Sequence, residues 1–245
     1  MYQTYKSLAK YYDLIFQGKD YVKETSFINS VVRERNKNAK SILDVGCGTG
    51  THLNLLVNDF KILYGVDLNR EMIQQARKKS KRVKYVVGGM KDFHIKRKFD
   101  VLTCLFAVFN YNLNEQEAKK TLKNFRKHLN TNGVLVLALY IKRNLERKVS
   151  IHCGKKKDIE VAKINQYFYD PSTKMDNSQF LLLVKDKGKI NLFVEPDHKV
   201  RIYHVEEFVP MLKDTGFTNI NAYDKFTKTP MTESTEYPVV VATAK

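Results

Sequence analysis

The first part of the chain alternates two hydrophobic patterns. Short, nearly unbroken apolar runs stand at 41–45, 62–66, 83–87, 100–106 and 133–140, as expected of strands buried on both faces. Between them, at 51–58, 70–79 and 114–129, lie longer segments whose apolar residues recur at helical spacing; these predict amphipathic helices. Asn114, followed by Glu115 and Glu117, supplies a cap and first-turn acids for the helix at 114–129, and Asn132-Gly133 is expected to close it. Two further helices are predicted ahead of this core, an aromatic one from about Tyr5 to Phe16 and another from Tyr21 to Glu34. Strand and helix in alternation make an α/β domain around a mostly parallel sheet.

After Ile141 the rhythm changes. Extended runs at Glu160–Tyr169, Gln179–Val184, Lys189–Val194 and Lys199–Tyr203 are separated by Asp170-Pro171-Ser172, Lys185-Asp186-Lys187-Gly188 and Glu195-Pro196-Asp197. Turn residues between such runs predict hairpins, so 145–204 reads as an antiparallel insertion. A helix at 205–214, stopped at Gly216, and strands at 217–223 and 237–243 return to the core. The 245 residues thus read as one domain: a helical cap (1–38), a core (39–141), the insertion, and a closing helix with two strands (205–245).

Candidate chemistry concentrates where the first apolar run ends. In Ser41-Ile42-Leu43-Asp44-Val45-Gly46-Cys47-Gly48-Thr49-Gly50 a strand enters a glycine turn, and Thr51-His52-Leu53 begins a helix. Glycine lets the backbone turn tightly and lets a ligand approach without a Cβ in the way. The helix aims its unpaired N–H groups at the turn. The next run ends in Val66-Asp67-Leu68, which puts an acid where both hydroxyls of a ribose can be accepted. These features fit a dinucleotide or S-adenosylmethionine (SAM). The glycines alternate strictly, unlike the Gly-x-Gly-x-x-Gly of dinucleotide sites. Asp44 would repel a pyrophosphate and suits the ammonium end of SAM, so SAM is the expected cofactor.

Composition narrows the setting. Forty-three basic and 26 acidic residues give a net charge of +17, compatible with nucleic acid, an anionic small substrate or a lysine-rich surface. Lys78-Lys79-Ser80-Lys81-Arg82 and Lys96-Arg97-Lys98 precede strands. They are expected at the sheet's N-terminal edge as solvated surface, away from the ligand edge. Lys142-Arg143, Arg147-Lys148 and Lys155-Lys156-Lys157 follow the fifth strand and are the candidates for anion contact. Cys47, Cys104 and Cys153 are scattered and odd in number, which argues against disulfides or a zinc site. No apolar run approaches the roughly 18 residues of a membrane span, so a soluble cytoplasmic protein is expected.

With these stretches in view, the chain resembles the class I SAM-dependent methyltransferases. Within them it resembles the N,N-dimethyltransferases of the desosamine and mycaminose pathways, which methylate the amine of a TDP-linked amino sugar. The resemblance is carried by Tyr12-Asp13-Leu14, Gly18-Lys19-Asp20-Tyr21, Leu43 to Leu53, Met90-Lys91-Asp92-Phe93 and Phe99 to Phe106. It implies a Rossmann-like seven-stranded α/β sheet with an N-terminal helical cap and an antiparallel lid after the fifth strand. It also implies cofactor contacts: Asp44 with the backbone of Gly46, Cys47 and Gly48 at the methionine end, and the Phe106 carbonyl on its ammonium. Asp67 would bind the ribose, Leu68 and Met72 would pack on the adenine, the Met90 backbone would meet its edge, and Tyr12 would close over the methionine moiety. The chain departs from the family at several points. Gly89 stands where an acid is usual, Tyr111 where a histidine is, and Thr232 to Glu236 carry no counterpart of a C-terminal arginine.

Methyl transfer from a sulfonium is an in-line displacement that needs alignment and exclusion of water more than a strong base. Tyr111 is the first candidate to orient the acceptor or take its proton and Tyr5 the second. His198 and His204 come third, with a surface or hairpin role favoured for each, and His52 is expected to cap or pack. The expected reaction is N-methylation of a small amine such as a nucleotide-linked amino sugar, on an anionic carrier. O-methylation of another metabolite, methylation of RNA or protein suggested by the charge, and a non-catalytic SAM-binding subunit remain alternatives. The expected partner is a small-molecule acceptor; nucleic acid ranks behind it, a homodimer is compatible with the chain, and no membrane partner is expected.

Overall fold

The computed structural model describes residues 8–141 and 148–245. In chain order the elements are α1 (Tyr12–Ile15), α2 (Tyr21–Arg35), β1 (Ser41–Val45), α3 (Thr51–Leu55), β2 (Ile62–Asp67), α4 (Arg70–Lys79), β3 (Val83–Val87) and β4 (Phe99–Cys104). A 3₁₀ turn (Val108–Tyr111), α5 (Glu115–Lys127) and β5 (Leu129–Ala138) follow. Then come β6 (Lys148–Lys156), β7 (Ile159–Asp170), β8 (Met175–Asp186), β9 (Lys189–Arg201), α6 (Val205–Asp214), β10 (Phe217–Asp224) and β11 (Pro238–Ala244). Seven strands form one sheet in the order β10-β11-β5-β4-β1-β2-β3, and β6 to β9 form a second sheet in sequence order.

The seven-stranded sheet is parallel from β5 to β3 and antiparallel at β11 and β10. Its strands are apolar on both sides because helices cover both faces. Leu43 and Val45 point to a cluster with Leu122 and Phe125 of α5 and Phe208 and Leu212 of α6. Ile42, next to Leu43 on the strand, faces the other way and joins the opposite cluster with Ile28 and Val32 of α2, Leu53 and Ile73. Asn69 and Asn114 cap α4 and α5 through side-chain bonds of 3.0 and 2.9 Å to Met72 N and Glu117 N.

Four local expectations fail, each for a physical reason. Among the described residues the aromatic N-terminal helix is only the four residues of α1, too short to hold without packing. It packs on the second sheet, where Leu8 and Ile15 meet Val161, Phe180 and Leu182. A Cβ on Gly154 would run into the Leu14 carbonyl. Asn132-Gly133 does not close α5, which ends at Lys127 with His128 as C-cap; Asn132 takes its positive φ of 61° inside β5, where the pairing with β4 shifts register. Glu195-Pro196-Asp197 is not a turn, because β9 runs on through it. As an edge strand β9 tolerates a proline that cannot donate, and the ladder shifts register nearby, between Ser178 and Phe180. Finally β6, which sequence reading leaves out, is a full strand paired with β7 from Lys148 to Lys156.

Candidate active site

In an open parallel sheet the cleft lies beyond the carboxyl ends of the strands where the order reverses, here between β1 and β4. The glycine turn opens from β1 into this cleft with φ of 75° at Gly46, 53° at Gly48 and 73° at Gly50. The three glycines serve different ends. A side chain on Gly46 would strike Val108, with Cγ1 at 2.5 Å, and one on Gly50 would strike the Tyr85 hydroxyl. Gly48 has nothing within 4 Å of that position, so a side chain there would project into open cleft.

The two acids flank this turn. Asp67, at the end of β2, accepts hydrogen bonds from the backbone N–H groups of Gly48 and Asn69, both at 2.8 Å. Burial raises its carboxyl above the ordinary range and these bonds pull it back. Asp44 is buried and accepts a 2.7 Å bond from the Thr103 hydroxyl of β4. Burial pushes it up to about 6, opposed by nearby His52 and the Thr103 bond. His52 is itself held by Glu24 at 2.6 Å, and Lys19 pairs with the same carboxylate.

Two adjoining cavities occupy the cleft. The larger, of about 310 Å³, runs from Asp67, Leu68 and Met72 past Gly88, Gly89 and Met90 to Val108 and Tyr111, with Tyr12 and the glycine turn along its wall. The smaller, of about 40 Å³, lies at Asp44, Cys47, His52 and Phe106 and shares Tyr12, Gly46 and Gly48 with the larger. Phe106 and Ala107 both take left-handed backbone angles, φ 55° and 58°, a conformation costly for residues with side chains and concentrated at functional sites. Phe106 is half exposed, edge-on to Phe16 at 5.1 Å, with the Lys19 ammonium 5.0 Å from its ring centroid.

The residues singled out by sequence fall as follows. Tyr12, Gly46, Gly48, Asp67, Leu68, Met72, Met90 and Tyr111 line the larger cavity, and Asp44, Cys47 and Phe106 line the smaller. Tyr5, with Lys142, Arg143 and Arg147, lies outside the described residues. His198 is not a surface residue: it is buried, and its Nδ1 shares a 2.9 Å hydrogen bond with the Tyr111 hydroxyl. It reaches there from the inner face of β9, beside the Phe180 ring at 4.6 Å. His204 stands just before α6 and makes no cap bond. Lys79 is not plain solvated surface. It pairs with Asp13 at 2.6 Å and donates to the hydroxyls of Thr49 and Thr51, tying α1 to the glycine turn. Lys155 pairs with Glu160 at 3.0 Å on the side of the second sheet turned away from the core.

Sequence reading missed Asn69, Lys91 and Asp92 of the cavity wall. Asn69 was findable as the helix cap two residues after Asp67. Asp92 shows only in three dimensions: its Oδ1 comes within 3.0 Å of where a Cβ on Gly89 would sit. It therefore reaches the space left by that missing side chain.

Residues 42–133 match the model of a methyltransferase domain. The cleft has features that suit SAM, namely an open turn of glycines, the half-buried Asp67 beside it and an apolar wall beyond. Over residues 42–133 the chain is similar to methyltransferase domains, and over nearly its whole length it is similar to SAM-dependent methyltransferases of known structure.

Among its relatives it is similar to the dTDP-3-amino-3,4,6-trideoxy-α-D-glucopyranose N,N-dimethyltransferase of Streptomyces venezuelae, 37% identical over 131 residues, which are 53% of this chain and 55% of that one. The chain spans about half the length of the first curated relatives it matches. Among solved structures, Streptomyces venezuelae DesVI superposes with a TM-score of 0.85 at 26% identity, covering 97% of this chain and 98% of that one. A SAM-dependent methyltransferase from Clostridium acetobutylicum ATCC 824 gives 0.83 at 25% identity over 98% of each chain.

Proposed function

We propose that this protein transfers a methyl group from SAM to the amine of a small molecule, and that the amine belongs to a nucleotide-linked amino sugar. When bound, SAM supplies a methyl group on a sulfonium, activated for displacement. Asp67 holds the ribose, Leu68, Met72 and Met90 pack on the adenine, and the Asp92 carboxylate accepts its exocyclic N–H in place of a side chain at Gly89. Asp44 and the Phe106 carbonyl meet the ammonium, and Tyr12 lies over the methionine chain.

The observation that carries the reading is the Tyr111–His198 pair, whose tyrosine lines the same cavity as Asp67. A hydroxyl there orients the acceptor's lone pair toward the methyl group. The amine's surplus proton would pass to the Tyr111 oxygen while the hydroxyl proton would move to His198 Nδ1. The lid supplies the histidine, so lid closure, water exclusion and proton acceptance are one event. The substrate class is supported by the likeness to amino-sugar dimethyltransferases.

The test is transfer rate against salt for a nucleotide-linked amino sugar, simple amines, hydroxylated metabolites and RNA. The expected result is activity on the amino sugar that weakens modestly as salt rises. RNA methylation with a steep log-linear salt dependence and no activity on any amine would overturn the reading.

A further inference from the structure

Every strand in the parallel part of the main sheet is entered from a basic residue. Lys40 precedes β1, Lys61 β2, Arg82 β3 and Lys98 β4, and Lys127 stands two residues before β5. All five are exposed. Strand register aligns them. Ser41 pairs with Ile62, which sets Lys40 level with Lys61. The pairings of Ile42 with Val101 and of Leu63 with Val83 leave Lys98 and Arg82 within one residue of that level. In the order β5-β4-β1-β2-β3 these residues form a row of cations along one edge, spaced by the distance between neighbouring strands, about 4.8 Å. Lys81, Lys96 and Arg97, also exposed, thicken it. The Arg97 guanidinium lies 5.4 Å from the Phe99 ring centroid and 5.8 Å from that of Tyr64, contacts that hold the planar group in place.

Internal roles do not account for this row. Among the described residues none of its side chains pairs with a carboxylate. Asp100 is taken up by the backbone N–H groups of Lys40 and Ser41 and by the Asn130 amide, and Asp59 is exposed near Lys61. Lys127 lies in the last turn of α5 and complements the helix dipole. Lys96, Arg97 and Lys98 follow no helix, so that effect does not explain them. An uncompensated row of cations is the electrostatic footprint of a polyanion site.

We infer that this edge binds the phosphate backbone of double-stranded nucleic acid, without regard to sequence. Five cations on neighbouring strands span about 19 Å. One strand of a duplex places a phosphate every ~3.4 Å along the axis, so the row faces about five or six of them. A single row matches one backbone, and lysine and arginine are the residues that contact phosphate oxygens. The edge lies at the amino ends of the strands, whereas the cleft lies beyond their carboxyl ends. Nucleic acid held here is therefore anchored and not methylated. This binding is a second activity, independent of the proposed methyl transfer to an amine.

The test is fluorescence anisotropy of the full chain with labelled 20-base-pair RNA and DNA duplexes from 0.05 to 0.3 M salt. Both duplexes are expected to bind, with a log-log salt slope of about −4 to −5, as for five phosphates. Lys40→Gln combined with Lys61→Gln removes two cations from the middle of the row. Affinity at 0.1 M salt is expected to fall at least ~10-fold and the slope to flatten by about 2. Lys187→Gln combined with Lys189→Gln removes the same charge from the exposed turn between β8 and β9 and should leave binding within about two-fold. Both double variants should keep their circular dichroism spectrum and their affinity for S-adenosylhomocysteine. No duplex binding up to about 100 μM at 0.05 M salt would overturn the inference. So would equal losses in the two double variants, which would assign binding to net charge. Displacement of the duplex by S-adenosylhomocysteine would also overturn it, by placing the duplex in the cleft. Flotation with vesicles of 30% anionic lipid, lost in the Lys40→Gln and Lys61→Gln variant and seen without duplex binding, would assign the edge to a membrane instead.

Discussion

The two sheets of this protein are built on opposite patterns. In the core every residue of β1 is buried, because helices cover both faces. In the lid, β8 alternates buried and exposed, because only one face has found a covering. The core therefore holds its cleft rigidly, with the glycine turn, Asp44 and Asp67 fixed by strands that cannot shift without opening two clusters. The lid holds its contribution, His198, through one packed face and the short helix α1. Under the proposed function, cofactor binding belongs to the first region and the lid's His198 to acceptor chemistry, and the variants below separate them.

The largest effect is expected in the core. Gly48→Val adds a branched side chain at φ 53° that points into the open cleft, and calorimetry should find no measurable S-adenosylhomocysteine binding. Asp67→Ala removes the proposed ribose acceptor, which also accepts from two backbone donors; at about 1.5–3 kcal/mol for each bond to a charged group, affinity should fall at least ~100-fold. At the contact between lid and core, His198→Ala on the lid and Tyr111→Phe on the turn after β4 should each lower kcat roughly 100-fold and leave cofactor affinity within about two-fold. A matching loss of affinity would show that the lid shapes the cofactor site instead.

The smallest effect is a pH dependence confined to the core. Asp44 titrates near 6 in the free protein. A cofactor ammonium beside it favours the ionised form, so its carboxyl is lower in the complex. Affinity for S-adenosylhomocysteine should accordingly be full above pH 7 and fall as pH drops through 6, with proton release on binding near that pH; Asp44→Asn should flatten the profile. The same raised value has the opposite sign for folding. The folded protein keeps the proton from the ordinary carboxylate range up to about 6, so the contribution of Asp44 to stability is full at low pH and declines as pH rises through that window.

What could be read from sequence divides along the same line. The core strands, the glycine turn and Asp67 lie in contiguous runs with their own periodicity, and the structure has those strands where the runs are. The lid was legible as antiparallel but not in detail. Pro196 interrupts the pattern of β9 without ending the strand, and β6 mixes Val149 and Ile151 with polar residues that give no clean run. The Tyr111–His198 pair joins positions 87 residues apart, one in the turn after β4 and one on β9 of the lid, and the Gly89–Asp92 substitution depends on where a carboxylate folds back. Neither leaves a local signal.

The claim at the centre of this account is that one cleft holds the cofactor through the core and meets the acceptor through the lid. Calorimetric titration of S-adenosylhomocysteine into wild type, Asp67→Ala and His198→Ala tests it most directly. The account predicts one site per chain, an affinity at least ~100-fold weaker in Asp67→Ala, and wild-type affinity in His198→Ala. Equal affinity in wild type and Asp67→Ala would contradict it.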